Sequence, residues 1–234
     1  MKTAEPKSLN GRSGIETKPT EAKPTEKHVQ ITPPKIEVLP LKIIGTAPLV
    51  QHKFGEKARK QILDTQEAGS QAKKGKKRDP KNFEQCYQDA RHVSTEGWDG
   101  IHAGGFRRAM VDACKLVGFF MTRAKLGLFI KADGFSADGT PLVNITKGKP
   151  TMRIHEARNS SGVIDLRARP MWDAGWEAIV TIEYDSEMFN TTEVVNLMAR
   201  VGIQCGIGEG RPNSKDSTGC GWGTFKVECA PKKE

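Results

Sequence analysis

The chain has 234 residues, of which 36% are apolar and 28% are charged, and its formal net charge is +9. The apolar share lies below the roughly 45–50% of an average globular domain, so we expect part of the chain to remain unpacked. A positive surplus of this size favours polyanionic partners, with nucleic acid first among them. No apolar run reaches the ~18–20 residues of a membrane span, and no secretory signal opens the sequence. We therefore expect a cytoplasmic protein with no membrane partner.

Metal and cofactor sites are not expected. The five cysteines are odd in number and lie far apart, whereas a zinc site needs clustered Cys and His ligands. The glycine-rich segment at 206–223 is similar to a phosphate-binding loop, but we predict a helix before it and a strand after it. Nucleotide-binding loops need the opposite order. The sequence therefore predicts reduced thiols, no metal and no cofactor.

The first 35 residues differ in composition from the rest. They are rich in Lys, Glu, Thr and Pro, and they carry seven basic residues against four Glu. Such a segment buries too little apolar surface to offset the entropy lost on ordering. We predict a disordered basic tail over 1–35 and a single domain over 36–230.

Within that domain, hydrophobic periodicity and turn residues predict the elements in chain order. They are a strand over 36–44, helices over 56–66, 82–90 and 106 to about 119–123, strands over 126–132, 142–145 and 176–184, a helix over 191–201 and a strand over 224–228. This order predicts an α+β fold with a ferredoxin-like core, as in RNA-recognition modules, with insertions and a C-terminal glycine-rich loop. RNA-recognition modules bind single strands on the face of their sheet.

A basic segment interrupts the predicted elements at 67–82. Its central part carries six positive charges and one negative charge, and it contains Gly and Pro but no apolar residue. We predict a mobile loop, which either is simply solvated or grips phosphates. The basic residues proposed for contact are Lys73, Lys74, Lys76, Lys77 and Arg78.

Three short motifs carry a family resemblance. They are Ile44-Gly45-Thr46-Ala47-Pro48-Leu49, Gly104-Gly105-Phe106-Arg107-Arg108-Ala109, and the glycine-rich run from Gly206 to Phe225. Together they resemble the RAMP superfamily, the RNA-binding backbone proteins of CRISPR surveillance complexes. The Pro-Leu-Val-x-His opening also resembles small phage-encoded proteins, which would act in the host-cell cytoplasm.

The resemblance implies a ferredoxin-like core that binds a nucleic-acid backbone, with repeated subunits along one strand. It places phosphate contacts at Arg107, Arg108 and Arg211, and at the backbone around Gly208 and Gly210. The partner is then single-stranded RNA or DNA, and the protein is expected to be a homo-oligomer.

Charge and aromatic residues add further candidates for the same role. The basic ones are His52, Lys53, Arg153, Arg167, Arg169 and Lys215. Trp172 follows Arg167 and Arg169 closely, and an indole ring can stack on any base. We therefore predict that Trp172 stacks on a base.

Two other functions stay open. The chain could be a phage-encoded inhibitor or scaffold that binds a host or phage protein complex. It could instead be a nuclease with His52 as general base, although no catalytic constellation of His with Ser, Cys or carboxylate is visible. We therefore predict a non-enzymatic protein.

Overall fold

Antiparallel strands and α-helices follow one another along the chain, which confirms the predicted α+β class. The computed structural model describes residues 31–54, 60, 63–64, 81–158, 164–214 and 219–229. Within the stretch Pro34–Glu234 the chain forms one compact unit. The predicted tail up to residue 30, most of the predicted helix at 56–66 and the predicted basic loop up to residue 80 lie outside the described residues.

The strands are β1 (Ile36–Gly45), β2 (Leu49–Val50), β3 (Gly100–His102), β4 (Leu128–Lys131), β5 (Gly134–Phe135), β6 (Pro141–Lys147), β7 (Thr151–Arg158), β8 (Ile164–Trp172), β9 (Glu177–Asp185) and β10 (Phe225–Cys229). The helices are α1 (Phe83–Asp89), α2 (Ala103–Leu116), α3 (Met121–Gly127) and α4 (Thr191–Arg200), and a π-helical turn follows at Val201–Cys205.

These strands form two sheets in the described part of the chain. The larger sheet has the order β10–β1–β9–β6–β3, with β4 beside β9 and β5 beside β6. The smaller sheet has the order β2–β8–β7. Because β2 follows β1 after a short turn, it links the two sheets.

The core lies on one face of the larger sheet, under α2 and α4. Alternate residues of β9 are buried, including Val180, Ile182 and Tyr184, as the period of two in its sequence predicts. Phe106 and Met110 of α2 pack into the same cluster because they share the apolar side of that helix.

The predicted helix from 106 is two helices in the structure. Helix α2 begins at Ala103 and ends at Leu116, and Gly118 then adopts a positive φ of 72°. This left-handed conformation suits glycine and is typical of the residue that ends a helix. The next segment folds as α3 and not as part of a strand, so the strand predicted at 126–132 is shorter in the structure.

Candidate nucleic-acid interface

Basic side chains collect on one face of the β7–β8 hairpin, which the sequence did not predict as a hairpin. Arg153 lies opposite Arg169, and His155 lies opposite Arg167. Residues directly opposite each other in an antiparallel pair point to the same side of a sheet. His52 extends this face, because the chain continues beside β8 after β2 and Gln51 donates its backbone N–H to the Pro170 carbonyl at 3.1 Å. We call the face formed by His52, Arg153, His155, Arg167 and Arg169 the hairpin interface.

One carboxylate from the glycine-rich segment lies against this face. Glu209 accepts a hydrogen bond from Arg169 Nε at 2.8 Å and one from Arg167 Nη1 at 3.4 Å. Its position is fixed by its own backbone N–H, which donates to the Val50 carbonyl at 2.8 Å. Although burial raises the pKa of Glu209, the charge and hydrogen bond of Arg169 bring it below its ordinary value. The carboxylate is therefore ionised and offsets part of the positive charge.

Exposure differs among the three arginines of the hairpin interface. Arg169 is only 8% exposed, and Arg167 is half-buried and also lies 3.9 Å from Asp165. Arg153 is exposed. A phosphate would therefore meet Arg153 first, whereas Arg169 serves mainly to hold Glu209.

The prediction that Trp172 stacks on a base is wrong, because its side chain is fully buried at the junction of β2 and β8. Trp222, which was not among the predicted contacts, is half-buried beside the hairpin interface. Its ring meets the His155 ring edge-on, with 5.5 Å between centroids. Trp222 also covers Gly210, where a Cβ would lie 2.5 Å from the indole ring. The sequence signal for this contact was that Gly210 and Trp222 lie within the same glycine-rich segment.

The backbone around Gly208 and Gly210 is used for packing. Gly208 has a φ of 79°, and a Cβ there would lie 2.4 Å from the Val50 carbonyl oxygen. The neighbouring amide of Ile207 donates to the Gly223 carbonyl at 3.0 Å. Arg211 is half-buried and donates to the Gly208 carbonyl at 3.0 Å. Gly208 therefore lets the loop approach β2 closely, and a phosphate contact by the backbone around Gly208 and Gly210 stays a prediction.

The two arginines at the start of α2 have different surroundings. Arg107 donates to the carbonyls of Leu128, at 2.9 Å, and of Lys125, and its guanidinium lies 5.0 Å from the centroid of the Phe129 ring. It therefore holds the end of α3, and its role as a phosphate contact stays a prediction. Arg108 is 74% exposed and pairs with Asp112 one turn along the helix, so it remains a candidate contact.

Ion pairs cover the face of the larger sheet opposite the core. Lys42 and Lys147 each lie 2.9 Å from a carboxylate oxygen of Glu177, and Lys226 lies 3.1 Å from Glu228. Paired lysines of this kind have less positive charge to offer a phosphate. Arg167 and Arg169 of the hairpin interface are paired as well, with Glu209. The hairpin interface is preferred over the sheet face, where RNA-recognition modules bind RNA, for its exposed Arg153 and for the Trp222 ring beside His155.

The remaining predicted residues are accounted for as follows. Lys53 lies beside the hairpin interface but points into a separate cavity, where it pairs with Asp138 at 3.1 Å. Lys73, Lys74, Lys76, Lys77, Arg78 and Lys215 lie outside the described residues.

Comparison with protein-family models and with curated proteins found no match to this chain. Within the described ranges, no group of three or more His, Cys, Asp or Glu side chains is placed to hold a metal ion. None of the helices in the described part combines the length and apolar character needed to cross a membrane.

Proposed function

We propose that this protein binds single-stranded nucleic acid in a sequence-tolerant manner through the hairpin interface. The observation that carries the proposal is the placement of the exposed Arg153 and the half-buried Arg167 on one face of the hairpin, with His52 alongside. Guanidinium groups bind phosphate oxygens in a bidentate manner, and phosphate contacts supply most sequence-independent affinity.

An aromatic ring beside the arginines supports a single strand over a duplex. Bases of a single strand are free to leave the stack, and each offers a π-face to a protein ring. Trp222 lies next to His155 and is partly accessible. We propose that Trp222, in place of Trp172, takes this role.

The strand order supports the ferredoxin-like part of the proposal. Strand β1 lies between β10 and β9, and β9 also pairs with β4. Helix α2 separates β1 from β4 along the chain, and α4 separates β9 from β10. A β-α-β-β-α-β succession with this pairing is the ferredoxin-like plan. It agrees with the resemblance to RAMP proteins and with repeated subunits along one strand.

The opposite face of the hairpin supports contact with protein. Its apolar side chains Met152, Ile154, Ile164 and Leu166 are all exposed. A group of exposed apolar residues on one projecting element is typical of protein–protein contact. This observation favours repeated subunits under the first function. It also favours the second candidate, an inhibitor or scaffold that binds a host or phage protein complex.

The compartment proposed for this function is the cytoplasm. Cys86, Cys114, Cys205 and Cys220 are free thiols in the structure, and free thiols are typical of reducing compartments.

The proposal is tested by fluorescence-anisotropy titration of the full chain against labelled single-stranded RNA, single-stranded DNA and duplex, at low and moderate salt. We expect tighter binding to a single strand and an affinity that falls as salt rises. A protein that binds none of the three at low salt would contradict the proposal. Pull-down of a specific protein by such a chain would then favour the inhibitor or scaffold.

A further inference from the structure

A cavity of about 400 Å³ opens next to the hairpin interface. It is lined by Lys53, Phe54, His92, His102, Asp138 and Thr140. Separate parts of the fold bring these residues together. Lys53 follows β2 and is anchored by its N–H, which donates to the Ala90 carbonyl at 3.0 Å. His102 ends β3 immediately before α2, and Asp138 lies in the turn between β5 and β6.

Two histidines form one wall of the cavity. The His92 and His102 rings are stacked, with 6.1 Å between centroids and an interplanar angle of 16°. Gly104 makes room for the second ring, because a Cβ there would lie 2.8 Å from His102 Cε1. Burial and the nearby His102 lower the pKa of His92 to about 4, and burial also lowers the pKa of His102. Each neutral imidazole has one N–H to donate.

One buried atom of this wall has no partner. His92 Nδ1 is buried and has no hydrogen-bond partner among the described residues. A buried polar atom without a partner destabilises the folded protein. Because this atom is closed to solvent, a ligand in the cavity would reach it only if the His92 ring turned.

The carboxylate in the cavity, Asp138, already has hydrogen-bond donors and a counter-charge. Asp138 accepts hydrogen bonds from the Ser136 hydroxyl and the Thr140 N–H and pairs with Lys53 at 3.1 Å. The Ser136 hydrogen bond, followed by those of Lys53 and Thr140, holds the pKa of Asp138 well below its ordinary range. The Lys53 ammonium has three donors, so its pairing with one oxygen leaves others for a ligand.

We propose that this cavity binds a phosphate monoester, either the terminal phosphate of a strand or the phosphate of a free mononucleotide. Lys53 and His102 line the cavity with N–H donors, and a turn of the His92 ring would add a third. A monoester has three terminal oxygens to accept them. A phosphodiester has only two such oxygens, and the nucleic-acid chain continues from it on both sides.

The volume of the cavity and the aromatic residue at its rim both suit a single nucleotide. The volume lies at the small end of the roughly 300–1,000 Å³ range of small-molecule sites, which is enough for one nucleotide. Phe54 lines the cavity with 57% of its surface exposed. Its ring can stack on the base of the bound nucleotide.

Binding of a strand end in the cavity rests on the proposed function. The test below separates failure of the cavity assignment from failure of the proposed function. Affinities are compared for one short single strand carrying a 5′-phosphate, a 3′-phosphate or no terminal phosphate. We expect one phosphorylated end to bind about ten-fold more tightly than the unphosphorylated strand, as charge-assisted hydrogen bonds predict. Calorimetry with adenosine 5′-monophosphate and with adenosine tests the free nucleotide.

The outcomes are distinguishable. If the unphosphorylated strand does not bind but the mononucleotide binds better than adenosine, the proposed function fails and the cavity assignment stands. If terminal phosphate changes no affinity and the mononucleotide binds no better than adenosine, the assignment is overturned.

Two variants test whether His102 and Lys53 cause the phosphate-dependent gain in affinity. In His102→Asn the new side chain can cap α2, which has no side-chain cap now, so the fold is expected to persist. The phosphate-dependent gain in affinity should fall at least about five-fold. Lys53→Gln removes the ammonium and should reduce the same gain. Lys131→Gln, at an exposed lysine of β4, is the matched control. Folded His102→Asn and Lys53→Gln proteins that keep the full gain would also overturn the assignment.

Discussion

Glu209 Oε2 accepts a hydrogen bond from Arg169 Nε at 2.8 Å, across 40 residues of sequence. This contact joins the glycine-rich segment to the β7–β8 hairpin. It also sets how much positive charge the hairpin interface offers, because the same carboxylate lies 3.4 Å from Arg167.

Replacement of this carboxylate should raise nucleic-acid affinity and lower stability. In Glu209→Gln the shape is kept, but the guanidinium groups of Arg167 and Arg169 lose their counter-charge. We expect single-strand affinity to rise about five-fold and the free energy of unfolding to fall by about 1–2 kcal/mol. Anisotropy titration and urea unfolding measure the two effects. Glu156→Gln, at an exposed glutamate of β7, is the control, and an equal rise in both variants would contradict a local effect.

Replacement of the adjacent arginines of α2 should have unequal effects on stability. Arg107→Met removes two hydrogen bonds to carbonyls, so we expect about 2 kcal/mol of destabilisation. Arg108→Met removes only an exposed pair within the helix, so stability should change by less than about 0.5 kcal/mol. Thermal unfolding of both variants checks this, and an equally unstable Arg108→Met protein would contradict it.

Stability should fall in mild acid because of His92. The folded-state pKa is about 4 and the ordinary value is 6.5, so the unfolded chain binds the proton more readily between these values. The stabilising contribution is therefore present above pH 6.5 and is lost as the pH falls towards 4. It amounts to at most about 3 kcal/mol. Urea unfolding across this pH window should show a smaller loss of stability for His92→Gln than for the parent protein. Identical losses of stability would contradict this role of His92.

Two glycine substitutions should differ in effect. Gly208 and Gly221 have φ values of 79° and 72°, so alanine at either position suffers about 1–2 kcal/mol of backbone strain. Only at Gly208 does the new Cβ also meet backbone, at 2.4 Å from the Val50 oxygen, whereas nothing lies within 4 Å at Gly221. We expect Gly208→Ala to be the more destabilising by about 1–3 kcal/mol. Equal unfolding midpoints would show that the loop does not depend on this close approach.

Local patterns predicted the fold better than the site. The alternation of β9 and the apolar spacing of α2 each depend on neighbouring residues, so both elements could be predicted from the sequence. The partnership of Arg169 with Glu209 depends on tertiary folding and leaves no local pattern. Trp172 and Trp222 both stand near basic residues or glycines, and only packing makes the first buried and the second accessible.

The central claim is that the hairpin interface, and not the open face of the larger sheet, binds the strand. Arg153→Glu and Lys131→Glu change the net charge equally, and both residues are exposed, one on β7 and the other on β4. The most direct measurement is the affinity of these two variants for labelled single-stranded RNA and DNA at low salt. We predict about a ten-fold or greater loss for Arg153→Glu and a small loss for Lys131→Glu. An equal loss in both, or a larger loss for Lys131→Glu, would contradict the assignment.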